Sequence, residues 1–397
     1  MHREDFPMLK QDIIYFDNGA TTFKPQSVIE TMNEYYSNYS ANAHRGDYDI
    51  SYKVDVNYEN TRNKVAKFIN ANTEEIVFTS GTTDSLNIIV NGFFKQNLEP
   101  GDEVLLTLSE HASNVLPWFK LAKTNGIVIK YIELDNNLHV TLNNLKKSTT
   151  PNTRVISLAG ITNVVGDERP IKEICEFAHN NNIFVIVDGA QSVPHTKTDV
   201  KDLDCDFLAF SAHKMCGPTG VGVLYGKYEL LESIEPINLG GGMNESFDSI
   251  DEVHLKDVPI RLEAGTQNIA GVIGLGATID YLNKIGMDNI KIYEIKLKKY
   301  LIEKLKNIPH INVVNEECDS GIVAFNVDGI FAQDVAYYLN KYHICVRAGN
   351  HCAKILKNAI GVKNTVRISL YFYNTESEID KLGNLLSNKV ELISEMI

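Results

Sequence analysis

Ile183-Phe184-Val185-Ile186-Val187-Asp188-Gly189-Ala190-Gln191 decides how this chain folds. Five apolar residues without polar alternation fit a strand buried on both faces of a sheet. Asp188 closes the run, and a carboxylate at the end of a buried strand needs a partner, because an unpaired buried charge is costly. A protonated ring nitrogen of a cofactor is one such partner, since an acid beside it keeps the ring an electron sink. The other reading is an N-cap on the next helix, a common use of Asp.

Similar short runs lie to either side, at Glu75–Thr79, Glu103–Thr107, Ile127–Ile132, Arg154–Leu158, Phe207–Phe210 and Val221–Tyr225. Helical patterns such as Thr83–Phe94, Val115–Thr124 and Ile171–Asn180 fall between them. This alternation predicts an α/β fold with a mostly parallel, seven-stranded sheet and crossover helices. Beyond Gly240–Gly242 the rhythm changes. Ala270–Lys284 and Met287–Leu305 read as long helices, followed by a strand at Gly321–Val327, a helix near Ala332–Tyr342 and a strand at Thr365–Ser369. We expect a large domain over 18–268 and a smaller α+β domain built from 1–17 and 269–397.

Composition narrows the function classes. The 397 residues are 44% hydrophobic and 22% charged, ordinary usage for a chain with a sizeable core. A net charge of -13 argues against a broad nucleic-acid footprint, which needs clustered Lys and Arg. Six cysteines form no C-x-x-C pair or zinc-like spacing, so neither a disulfide framework nor a metal site is expected. Met1–Phe16 carries Arg3, Glu4, Asp5, Lys10 and Asp12 and lacks the apolar stretch of a signal peptide. No apolar run approaches the ~20 residues of a membrane-spanning helix. The expectation is a cytoplasmic protein with no membrane contact.

Three further segments carry chemistry. Ser211-Ala212-His213-Lys214-Met215-Cys216-Gly217-Pro218 follows the strand Phe207–Phe210. It puts Lys214 at the sheet edge where α/β folds bind ligands, and desolvation there makes an amine a nucleophile for carbonyls. Alone, Lys214 reads more readily as a solvated loop lysine, since most lysines are exposed. Thr79-Ser80-Gly81-Thr82-Thr83-Asp84 joins a strand to a helix, where main-chain N–H groups and hydroxyls suit a phosphate; plain Ser/Thr capping is the alternative. His111, in Ser109-Glu110-His111-Ala112-Ser113-Asn114, offers a ring to stack on an aromatic cofactor, or is simply a polar loop residue.

Together these segments resemble the fold-type I pyridoxal-phosphate (PLP) transferases of the class V aminotransferase group. Within it the chain is most similar to cysteine desulfurases of the SufS and selenocysteine-lyase-like branch. The likeness runs from Asn18-Gly19-Ala20-Thr21-Thr22 through His44-Arg45-Gly46, Asp188–Gln191, Ser211–Lys214 and Glu263-Ala264-Gly265-Thr266-Gln267. It ends at Arg347-Ala348-Gly349-Asn350-His351-Cys352-Ala353 and Arg367-Ile368-Ser369.

The resemblance implies PLP as cofactor, bound covalently by Lys214, which also moves the substrate proton. It implies that Asp188 pairs with the ring nitrogen, Gln191 meets the ring hydroxyl and His111 stacks on the ring. Thr83, Ser211 and His213 would hold the phosphate with Thr82 adjacent, and Thr266 would reach the phosphate of a neighbouring subunit in a homodimer. Arg367 would bind the carboxylate of L-cysteine, with Asn163 and Arg347 close by, since a planar guanidinium suits bidentate recognition.

Cys352 would take the sulfur as a persulfide, release alanine and pass the sulfur to an acceptor protein, most simply for iron–sulfur cluster assembly. A thiolate is needed for that attack and forms more readily near cations; His351 and Arg347 are near in sequence, and Lys354 follows. The setting Gly349-Asn350-His351 is too polar for a core cysteine. The short Arg-x-Gly-x-His-Cys context limits the travel of Cys352, so an acceptor has to come to it. Asn350, Lys354-Ile355 and Cys216 depart from the family pattern, and Cys175, Cys205, Cys318 and Cys345 read as structural. Competing readings are a selenocysteine lyase, a kynureninase-like hydrolase and a catalytically silent scaffold of a sulfur-transfer complex.

Overall fold

The computed structural model describes residues 2–43, 46–248, 252–314, 316–317, 320–357, 361 and 364–394. Its strands are β1 (Ile14–Tyr15), β2 (Ile76–Thr79), β3 (Glu103–Thr107), β4 (Val128–Ile132), β5 (Thr153–Ala159), β6 (Phe184–Asp188), β7 (Phe207–Ser211) and β8 (Gly222–Gly226). They continue with β9 (Asn244–Phe247), β10 (Val253–Leu255), β11 (Ile311–Val313), β12 (Ile322–Val327), β13 (Ile344–Cys345), β14 (Arg347–Gly349) and β15 (Thr365–Ser369).

Seven strands form one sheet in the order β2-β8-β7-β6-β5-β3-β4. All are parallel except β8, which runs against both β7 and β2. The reason is connection length: residues 212–221 are too few for the crossover that a parallel pair requires. Both faces are covered, as the unalternating apolar runs require. In β6, Val185 and Val187 share one core layer with Leu208 and the helix Ile269–Ile285, while Ile186 belongs to the other layer with Phe93, Phe94 and Trp118. The first of these layers also holds the helix Asp49–Ile69, and the second holds Ala112–Asn125. The predicted helix Thr83–Phe94 begins at Thr82 and passes into wider π turns over Ile89–Phe94.

A second, antiparallel sheet runs β11-β12-β15-β14, and the helix Met287–Lys306 packs against it. The N-terminal segment is stitched to this part of the molecule. β1 pairs in parallel with β13, and Ser369 N donates to Phe16 O at 2.7 Å. That path delivers Gly19 and Ala20 to the carboxyl edge of the large sheet. Sequence reading did not anticipate the β9–β10 hairpin or the short strands β13 and β14. No helix among the described residues is long and apolar enough to cross a membrane.

Candidate active site

β5, β6 and β7 all end on one cavity of about 200 Å³, lined by Ala159, Asp188 and Ser211 at their carboxyl ends. This is the edge where parallel sheets gather ligands, because the crossover loops leave a crevice there. Thr82, Thr83, His111, Asn163, Asp188, Gln191, Ser211, His213, Lys214, Arg347 and Arg367 line the same cavity. Cys352 and Thr266 do not.

One end is built for an anion. The helix from Thr82 points its first N–H groups there, and Thr82 N and Oγ1 each lie 2.7 Å from Ser211 Oγ. Its N-cap, Gly81, sits at φ +155°, and a Cβ on Gly222 would lie 2.4 Å from Gly81 Cα, so the turn after β2 crosses the start of β8 only because residue 222 is glycine. Thr83 Oγ1 lies 2.7 Å from Ser113 Oγ, which in turn lies 3.1 Å from His111 Nδ1.

His111 caps the helix Ala112–Asn125, its Nδ1 accepting from Ser113 N at 3.1 Å. Burial, with the charges of Lys214, Arg347 and Arg367, lowers its pKa to about 4. The ring is therefore neutral, and with Nδ1 accepting it carries its proton on Nε2. Beneath it, buried Glu110 accepts from Arg169 Nη1 at 2.5 Å, Thr107 Oγ1 at 2.6 Å, Asn114 Nδ2 at 2.9 Å and Ala159 N at 2.9 Å.

At the centre, burial lowers the Lys214 pKa to about 8, with Asp188 opposing the shift and Arg367 and Arg347 adding to it. Burial raises the Asp188 pKa to about 6, against the Ala190 N–H that donates to Oδ1 at 3.0 Å and the charge of Lys214. Gln191 Nε2 donates to Gly19 O at 2.7 Å, while its Oε1 is buried with no partner among the described residues. Burial also lowers His213, to about 4.

At the other end, Arg367 is only 1% exposed. Its Nη2 pairs with Asp17 at 2.7 Å and its Nη1 donates to Asn163 O at 2.9 Å, leaving a buried Nε–H with no acceptor among the described residues. Asn163 also donates from Nδ2 to His351 O at 2.6 Å, so its side chain anchors the cysteine segment. His351 Nε2 sits 2.9 Å from Thr365 Oγ1, and Ala112 N donates to Cys352 O at 2.8 Å.

His351 and Cys352 both take positive φ, 49° and 60°, in a tight turn that presents the exposed Cys352 at the cavity's rim. Arg347 Nη2 lies 3.9 Å from Cys352 Sγ. Of the cations expected beside this sulfur, Arg347 is in contact with it, whereas His351 is neutral, because burial and the neighbouring arginines lower its pKa to about 3.

The remaining cysteines lie elsewhere. Cys175, Cys205 and Cys216 are buried, and burial pushes all three thiols up, Cys205 to about 12. Cys345 is half-buried and also pushed up. Cys318 lies outside the described residues, as do His44 and Arg45. Thr266 is exposed, and its Oγ1 accepts from Asn42 Nδ2 at 3.3 Å. The segment that carries it is pinned at Glu263, whose buried carboxylate takes both Arg62 Nη1 and Nη2, at 2.7 and 2.9 Å. No cluster of three His, Cys, Asp or Glu side chains among the described residues is placed to hold a metal ion.

Sequence reading missed Ser113, Glu110, Arg169 and Asp17. Ser113 had a local signal, lying two residues past a capping His. The other three act through partners far away in the chain, which no local pattern reveals.

The family model for class-V aminotransferases matches residues 14–382. A "Probable cysteine desulfurase" of Halalkalibacterium halodurans is 41% identical over 392 residues, covering 97% of this chain and 96% of that one. The apo structure of a cysteine desulfurase from Thermococcus onnurineus NA1 superposes with a TM-score of 0.94 at 37% identity, over 98% of this chain and 97% of the other. The cysteine desulfurase CsdA of Escherichia coli, in an S-sulfonic acid form, gives 0.92 at 36% identity, over 98% of each.

Proposed function

The chain belongs to the class-V aminotransferase family, and on that premise we propose that it is a PLP-dependent cysteine desulfurase that turns L-cysteine into L-alanine and a Cys352 persulfide. The observation that carries this reading is the exposed Cys352 at the rim of a cavity that Lys214 and Asp188 both line.

The cavity's residues fit PLP. Asp188 is a buried carboxylate that lacks a full counter-charge, and a protonated pyridine nitrogen supplies one. The orphaned Gln191 Oε1 suits the ring hydroxyl. The first turn at Thr82, with Thr83, Ser211 and His213, suits the phosphate. When bound, PLP withdraws electrons from the substrate's α-carbon and so opens the sulfur on Cβ to attack.

The chain's own groups do the rest. Arg367 would bind the substrate carboxylate, with its Nε–H still unpartnered among the described residues and its plane fixed by Asp17 and the Asn163 carbonyl. Lys214, with its pKa near 8, takes the α-proton and returns one to carbon. Neutral His111, its proton on Nε2, would lie against the PLP ring. Cys352 sulfur attacks the substrate sulfur, the Cβ–S bond breaks, and the carbon gains a proton to give alanine. One thiol and one cysteine thus become one persulfide and one alanine.

We also assign Thr266 to the phosphate site of a second copy in a homodimer. Its exposure, outside its own chain's cavity, supports that reading. The persulfide passes to an acceptor thiol protein, with iron–sulfur cluster assembly as its proposed destination. The test is stoichiometry. With L-cysteine and a thiol reductant, alanine and sulfide form one to one; a Cys352→Ser variant keeps PLP and loses both products. Sulfide with pyruvate in place of alanine would overturn the reading.

A further inference from the structure

The charge of the chain segment that carries Cys352 differs from that of the rest of the sequence. Acidic residues outnumber basic ones, 51 to 38, yet none occurs from Val335 to Thr375. That stretch holds Lys341, Arg347, Lys354, Lys357, Lys363 and Arg367. Lys354 and Lys357 are exposed and follow Cys352 closely. Neither Lys354 nor Lys357 has an ion pair among the described residues, a state they share with other exposed lysines such as Lys120, Lys123 and Lys299, so what sets them apart is their place next to Cys352 in a segment without carboxylates. The segment is also tied down at Asn163, Ala112 and Thr365, so Cys352 holds its place at the surface.

A sulfur that stays put must be collected by a partner that comes to it. Unpaired positive charge beside it favours an approaching surface of opposite sign. We propose that Lys354 and Lys357, with Arg347, form a docking patch for a sulfur acceptor that presents its thiol among acidic residues. This rests on the persulfide role of Cys352 and adds the partner's chemistry. In the transfer, the acceptor thiolate attacks the outer sulfur of Cys352-S-SH, the S–S bond breaks, and Cys352 leaves as a thiolate beside Arg347. The acceptor carries away the outer sulfur with its proton, and there is no net oxidation.

The test uses three cysteine peptides of equal length, flanked by Glu, Ser or Lys, offered to PLP-loaded enzyme whose Cys352 has been persulfurated with L-cysteine. Acidic flanks slow a thiol's own chemistry, so a preference for them must come from docking. At low salt the Glu peptide should be persulfurated about tenfold faster than the Ser peptide, and the Lys peptide slower still. The Glu preference should vanish at high salt and in the Lys354→Glu, Lys357→Glu double variant. That variant should keep wild-type alanine formation with dithiothreitol as reductant. Equal rates for the three peptides, or a Glu preference that survives both salt and charge reversal, would refute the patch while leaving the desulfurase reading intact. Absence of sulfur on Cys352 would overturn both.

Discussion

Replacing Asp188 with Asn removes one charge at constant size and should shift stability in opposite directions with and without cofactor. In the cofactor-free protein Asp188 holds its proton up to about pH 6, against an ordinary value of 3.8, because it is buried. At 1.36 kcal/mol per pH unit, that gap makes ionised Asp188 a cost of about 3 kcal/mol. For a raised carboxyl pKa the favourable contribution is complete below pH 3.8 and is lost as pH rises through about 6. Asp188→Asn should therefore match wild type near pH 4 and exceed it above pH 6.

The size of the shift follows from the chain's length. The 397 residues unfold with an entropy of about 0.8 kcal/mol/K, at roughly 2.1 cal/mol/K each. A gain of 3 kcal/mol is then about 4 °C in Tm. With PLP bound the order should reverse, since the carboxylate has gained its cation, and cofactor affinity should fall about a hundredfold. Thermal melts of stripped and loaded protein at several pH values read both effects. If the stripped Asn variant is no more stable than wild type at pH 7.5, or the loaded variant holds PLP as tightly, the electrostatic role given to Asp188 is wrong.

Three further outcomes are expected. Capture of PLP by stripped enzyme, followed by absorbance, should rise with pH through about 8 as Lys214 loses its proton; a profile still climbing toward 10.5 would contradict the lowered pKa. Arg367→Lys keeps a charge against Asp17 but loses the planar fork, so KM for cysteine should rise on the order of a hundredfold while PLP retention holds; an unchanged KM would remove Arg367 from the substrate site. Thr266→Ala should weaken PLP retention several-fold, worth roughly 1 kcal/mol. Heterodimers of Lys214→Ala and Thr266→Ala chains should contain one intact site, and mixing that restores no tight cofactor binding would argue against shared sites.

Much of the architecture was legible because its signals are local. Glu103–Thr107 and Thr365–Ser369 are strands within the bounds the sequence suggested. Lys214, Asp188 and Thr82 converge on one cavity because Asp188 ends β6, Thr82 begins a helix and Lys214 closes the turn after β7, all on the same edge of the sheet. The direction of β8 is local information too, since the connection over 212–221 is too short for a parallel crossover. The β9–β10 hairpin was not legible, since Asn244-Glu245-Ser246-Phe247 is largely polar and exposed. Nor were the long-range pairs: Glu110 with Arg169 and Asp17 with Arg367 depend on folding, as does the neutrality of His351.

The most direct test of the desulfurase reading is site-resolved mass spectrometry of the PLP-loaded enzyme after brief exposure to L-cysteine without reductant, with Lys214→Ala run in parallel. The expected result is one added sulfur on the peptide holding Cys352 in wild type and none in the variant. Sulfur found instead on Cys216 or Cys345, or on Cys352 equally with and without Lys214, would contradict it.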